Sequence, residues 1–149
     1  MAEAFREKAA TVIYVRVDLA DMVPLIVDVS HFDPQATPIP TIASELVPDA
    51  GFKDGDLLIT KRHWGAFGQT ELEAALKQRG VETIVLAGIA TNFGVESTAR
   101  QATSLGFQVV IAEDACSSIG PAAHKFAMET IFPLIARVRK SQEIVDALN

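Results

Sequence analysis

Gly88-Ile89-Ala90-Thr91-Asn92-Phe93-Gly94-Val95-Glu96-Ser97-Thr98-Ala99-Arg100-Gln101-Ala102 is the stretch whose reading decides the fold. It follows the apolar run Thr83-Ile84-Val85-Leu86-Ala87, crosses a short polar turn and continues in helix-forming residues. A strand that feeds a helix through a tight turn presents backbone N–H groups, and the positive end of the helix dipole, above that turn. Thr11–Val17, Leu57–Thr60, Phe107–Ala112 and Leu134–Val138 are further runs rich in Val, Ile and Leu without clean alternation. Such runs are typical of parallel strands buried on both faces.

Helices are predicted between these strands. Residues 2–10 are rich in Ala, Glu, Arg and Lys. Thr70-Glu71-Leu72-Glu73 has capping-box spacing and starts a helix that Gly80 stops. A helix over 94–105 ends at Gly106, Pro121 opens one over 121–132, and Ser141 begins a short last one. The result is an α/β fold, a doubly wound parallel sheet between helical layers, whose ligands sit beyond the carboxyl ends of the strands. That rim carries Asp18, Lys61 to Phe67, Ile89 to Gly94 and Glu113 to Ser118.

Composition removes several functional classes. The 149 residues suit one domain, and 49% hydrophobic residues with a mean hydropathy of +0.24 point to heavy burial. A net charge of −6 argues against a nucleic-acid or anionic-membrane surface. No apolar run reaches the roughly 20 residues of a membrane span. The single cysteine, Cys116, excludes an intrachain disulfide framework and fits a reducing, cytoplasmic setting. The connection from Asp18 to Gly55 holds five of the seven prolines, and a connection that long suggests a functional or interface-forming segment.

The stretch from Gly88 resembles the nucleophile turn of the isochorismatase-like cysteine hydrolases, G-[IV]-A-T-[DN]-x-C-V-x-x-T-A-R-x-A. A second block, I-T-K-R-H-W-G-A-F-G-Q-T-E-L-E over residues 59–73, is similar to the family segment in which a strand-end Lys precedes x-A-F-x-x-T-x-L. By itself that loop reads as a basic, aromatic surface turn; the order of the two blocks makes it specific. Glu113-Asp114-Ala115-Cys116 is a third, weaker match, to a D-A-C/A turn. The resemblance covers nearly the whole chain from Thr11. It implies a triad of Asp, Lys and Cys, with Lys61 at the Lys position and a cis peptide between Ile89 and Ala90. The N–H groups of Phe93 and Gly94 match its oxyanion donors. Thr91, Asn92, Phe93, Trp64 and Phe67 become candidate substrate-binding residues. The family's sheet order of 3-2-1-4-5-6 also implies a central first strand ending in Asp. Here Thr11–Val17 matches the second family strand, so the expectation is an N-terminally truncated single domain, or another segment in that place.

Gly94 stands where the resemblance puts the nucleophile, which excludes thiol catalysis at that position. Cys116 lies on another strand-end segment and reads as an inert buried thiol. True isochorismatases also carry Gly there and cleave a vinyl ether without a covalent intermediate. The resemblance therefore implies a non-covalent hydrolase of a small anionic metabolite, with Lys61 holding its charge. The alternative is a catalytically silent member acting as a ligand-binding or oligomeric scaffold protein. A homodimer or homotetramer is expected, with the Met22–Val47 segment as interface. No cofactor is expected. No metal is expected either: Asp18, Asp21, His31 and Asp33 read as loop structure, His63 and His124 lack ligand spacing, and His124 reads as exposed or helix-packing.

Overall fold

The computed structural model describes residues 1–30 and 38–148; His31 and Asp33 lie outside the described residues. Helix α1 (Ala2–Glu7) leads into β1 (Ile13–Val17), and a long irregular connection reaches β2 (Leu57–Lys61). Then follow α2 (Leu72–Gln78), β3 (Thr83–Ile89), α3 (Glu96–Ser104), β4 (Gln108–Ser117), α4 (Pro121–Phe126), α5 (Phe132–Ile135), β5 (Arg137–Arg139) and α6 (Ser141–Asp146). Every strand pairing is parallel: Ile13 to Val17 lie against Leu57 to Lys61, Thr83 to Leu86 against Gln108 to Ile111, and Val110 to Ala112 against Arg137 to Arg139. The β3–β4 register shifts between Leu86 and Gly88, which then stands opposite Cys116.

The buried part of β4 shows why this sequence needs helices on both sides. Val109 and Ile111 belong to one apolar cluster, with Leu72 and Leu76 of α2, Ala99 and Ala102 of α3, and Phe132 of α5. Val110 and Ala112 belong to another, with Ile144 of α6, Phe5 of α1 and Val85. Successive side chains of a strand point to opposite faces, so a continuous apolar run is buried only if both faces are covered. Each fully buried Ile or Phe contributes roughly 1.5–3 kcal/mol relative to exposure. The α/β fold with a parallel sheet between helical layers is the one expected.

The sheet is interrupted. The described strands form a two-stranded sheet, β1-β2, and a three-stranded sheet, β3-β4-β5. Among the described residues β1 pairs only with β2, and β3 only with β4. No residue of β1 is buried, and Val15 at its centre is 39% exposed. The halves are held together by side chains: Ile59 of β2 and Ala66 share the large apolar cluster with Val95, Ala99 and Ile111.

Several local expectations need correction. Helix α2 begins at Leu72, and the Thr70 hydroxyl donates to Ala66 O at 2.6 Å while accepting from Leu72 N–H, so Thr70 closes the preceding turn instead of forming a capping box. The run from Leu134 is not a strand at its start: Leu134 and Ile135 end α5, and β5 begins at Arg137. Glu113 to Cys116 continue β4 and do not turn. Ser141 is the first helical residue of α6, and its N–H and hydroxyl both donate to Asp114 Oδ1 at 2.8 and 2.7 Å. Gly80 and Gly106 do end their helices in the left-handed region, at φ 64° and 89°.

Candidate active site

The end of β2, at Lys61, meets the turn that follows β3, at Gly94. Lys61 closes β2, and its side chain turns inward so that the residue is only 8% exposed. Its ammonium donates to Trp64 O at 2.6 Å, and among the described residues it forms no ion pair. Burial pulls the Lys61 pKa below its ordinary value, because the charged form loses hydration. On the other side, Ile89–Ala90 is a cis peptide, and Thr91–Val95 form a π-helical turn that runs directly into α3. A Cβ at Gly94 would lie 3.1 Å from Lys61 Nζ. A side chain at this position would need the lysine to give by a few tenths of an ångström.

The loop after Lys61 is fastened to α3 by side chains one or two helical turns beyond Gly94. Buried Thr98 donates to Gly94 O at 2.7 Å and accepts from Ala66 N–H at 3.1 Å. Gln101 Oε1 accepts from Phe67 N–H at 3.1 Å. A Cβ on Gly65 would stand 2.1 Å from that same oxygen, so a side chain there would push the Gln101 amide out of its present position. Thr98 and Gln101 fall on one helix face with Gly94, and that periodicity was the signal available in the sequence for finding them.

The predicted pocket residues separate into two groups. Trp64 stacks on Phe93 with ring centres 4.8 Å apart, and Trp64 remains exposed. Phe67 instead stacks on Phe107 at 5.8 Å and packs against the core, so its ring serves the helix–sheet interior and not a pocket wall. Thr91 is wholly buried with its hydroxyl 2.9 Å from His124 Nδ1, and Asn92 Oδ1 accepts from the Ser118 hydroxyl. Those two polar groups face the scaffold. His124, read as exposed or helix-packing, is thus a partner of the turn. Phe93 N–H donates to Ala90 O at 3.1 Å, which withdraws it from the expected oxyanion donors.

Other candidates lie elsewhere. Asp18 Oδ1 accepts from Ala20 N–H and Asp21 N–H at 3.2 Å, a local loop closure. Cys116 is partly buried beside Gly88, and burial pushes its thiol up to about 11. Trp64 also lines a cleft of about 450 Å³ with Met22, Val23, Arg62, His63 and Gln101. Among the described residues no three His, Cys, Asp or Glu side chains form a cluster suited to a metal ion. Among the described residues no helix is long and apolar enough to cross a membrane.

The fold is of the parallel α/β class, and Lys61 and the turn into α3 lie on the rim beyond the carboxyl ends of β2 and β3, where folds of this class bind their ligands. The isochorismatase domain matches residues 1–143, and the chain belongs to that family. It is 56% identical over 98 residues to the uncharacterized isochorismatase family protein YecD of Escherichia coli O157:H7, covering 66% of this chain and 52% of that protein. It is also 36% identical over 98 residues to the ureidoacrylate amidohydrolase RutB of Klebsiella pneumoniae, covering 63% of this chain and 42% of the relative. Its structure is similar to that of an isochorismatase family protein from Burkholderia thailandensis, with a TM-score of 0.90 at 38% identity, over 99% of this chain and 78% of that one. A nicotinamidase, PncA from Bacillus subtilis, superposes with a TM-score of 0.69 at 26% identity, over 93% and 79% of the two chains. The chain spans about half the length of the curated relatives it matches.

Proposed function

We propose that this chain carries the site of a small-molecule hydrolase that works without a thiol. The observation that supports it is the buried ammonium of Lys61, which has no ion pair among the described residues and stands beside the side-chain-free position of Gly94. A buried cation without a counter-charge is costly, and an anionic ligand or acidic group placed there offsets that cost. In this reading Lys61 holds a carboxylate or the negative charge developing at a carbonyl or enol-ether oxygen. The Gly94 N–H donates to the same charge, and the Trp64–Phe93 stack forms an apolar wall. The amide-type substrates that the names of RutB and PncA give are compatible with such a site, and in this chain no thiol route can run through Gly94. The protein is screened with enol ethers, amides and carboximides. Turnover that falls at least a hundredfold in Lys61→Ala supports the site, and turnover indifferent to that change removes it.

A second reading, a silent scaffold that works as a homodimer or homotetramer, draws on a different observation. Leu25, Ile26, Val27, Val29, Ile42 and Val47 of the long connection are all exposed. Apolar surface of that extent is typical of an interface. Among the described residues β1 and β3 each leave one edge unpaired, which supports a further parallel strand between them. Light scattering distinguishes the assembly, and a monomer at micromolar concentration counts against it.

A further inference from the structure

Two neighbouring residues at the start of the turn are tied to one distant segment. Thr91 shares a 2.9 Å hydrogen bond with His124 Nδ1 on α4, and Asn92 accepts from Ser118, which lies between β4 and α4. The far end of the turn is held from α3 by the Thr98 hydroxyl on Gly94 O. Thr91 has no solvent exposure, so its hydroxyl depends wholly on protein partners. Leaving a buried hydroxyl unpartnered costs about 1–3 kcal/mol, whereas an apolar side chain of the same shape would fill that space without the risk. The demand at this point is therefore for direction as well as volume.

We infer that His124, through its hydrogen bond to the buried hydroxyl of Thr91, is a positioning residue for the Gly94 turn. It sets where the Gly94 backbone stands relative to Lys61 Nζ, without itself contacting that ammonium. The catalytic meaning of this rests on the hydrolase reading above; the clamp itself does not. Backbone donors aimed at developing charge work only when held in place in advance, and small displacements are expensive. The supporting shell supplies that hold.

A thiol introduced by Gly94→Cys tests the clamp without a substrate. Its Cβ falls 3.1 Å from Lys61 Nζ in the present geometry, at the entrance to a helix. Both features lower a thiol pKa. In a Cys116→Ser background, the rate of alkylation by iodoacetamide is followed against pH. Thr91→Val and His124→Ala should each slow the reaction at pH 7 by about tenfold by raising the apparent thiol pKa, and the pair together should do no more than either alone. His124→Gln, which keeps a hydrogen-bonding group, should restore most of the rate, and His124→Leu should not. Effects that add, or a His124→Leu protein as reactive as His124→Gln, overturn the inference. Should His124→Ala fail to fold, the Gln and Leu variants carry the comparison. Failure of every substrate screen with this thiol pattern intact would sink the hydrolase reading and leave the clamp standing.

Discussion

Strands β1 and β4 are both parallel and rich in Val and Ile, yet β4 is the floor of the core and β1 is only half covered. In β4 the four residues Val109 to Ala112 are all buried, whereas β1 buries none of its five. The difference is in their neighbours. The buried part of β4 lies between β3 and β5 with helices on both faces, while β1 has β2 on one side and no described strand on the other. Hydrophobic residues obtain their stabilising effect from what covers them, so the same composition is worth several times more at the centre of a layer than at its margin. The break with the largest expected effect on this contrast is a matched truncation. Ile111→Ala should cost about 2–5 kcal/mol, and Val15→Ala, at a half-open position, less than about 1 kcal/mol. Urea denaturation of both variants checks this, and losses of equal size would mean that β1 is as well covered as β4.

That contrast also explains how much could be read in advance. The strand positions were legible because buried parallel strands leave uninterrupted Val/Ile/Leu runs, and Gly80 and Gly106 marked helix ends by their need for positive φ. Lys61 and Gly94 were legible as a pair because each falls at a fixed place in one of two blocks that resemble the same family. The rest was set by tertiary contacts that no local pattern encodes. Thr70 has capping-box spacing, but Ala66 O competes for its hydroxyl. Phe67 looked like a pocket residue because it follows Trp64 in the loop, but the loop is drawn down on α3 by Thr98 and Gln101, which delivers its ring to Phe107. The Thr91–His124 bond joins residues on separate elements, and nothing in either segment alone announces the other.

A second break concerns function against stability at the end of β2. Lys61 is buried with its pKa lowered by desolvation, so the folded state releases its proton at a lower pH than the unfolded chain does. Between the lowered folded value and the ordinary lysine range near 10.4, the unfolded state binds more protons, and stability therefore rises with pH. Below that window the full cost of the buried charge is present. Lys61→Met removes the charge and keeps the length, so it should be at least as stable as the parent at pH 7. The parent's stability relative to that variant should then rise as pH approaches 10, in urea titrations at pH 7, 9 and 10. A parent that loses ground to Lys61→Met over that range would mean the ammonium is favourably paired, contrary to the geometry.

The smallest effect is expected at the margin of the two-stranded sheet, where electrostatics do part of the work that burial does elsewhere. Arg6 of α1 donates through Nε to Asp56 Oδ1 at 2.9 Å, and the Asp56 side chain, which also accepts from Lys53 N–H, is only 4% exposed. Tyr14 of β1 donates to Ala50 O at 2.7 Å and meets Phe52 edge-on, so it reports on this same corner. The Arg6 guanidinium holds the Asp56 carboxyl below its usual range. A carboxyl depressed in the folded state contributes stability that is present above its unfolded value, about 3.9, and is lost as pH falls through the folded one. On acidification, Tyr14 fluorescence should therefore change before Trp64 fluorescence, since Trp64 leans on α3 and the large apolar cluster through its loop. Arg6→Met should move the Tyr14 midpoint to higher pH and leave the Trp64 midpoint nearly in place. If both probes move together in parent and variant, the two halves unfold as one cooperative unit despite their unequal burial, and the break between β1 and β3 carries no independent weakness.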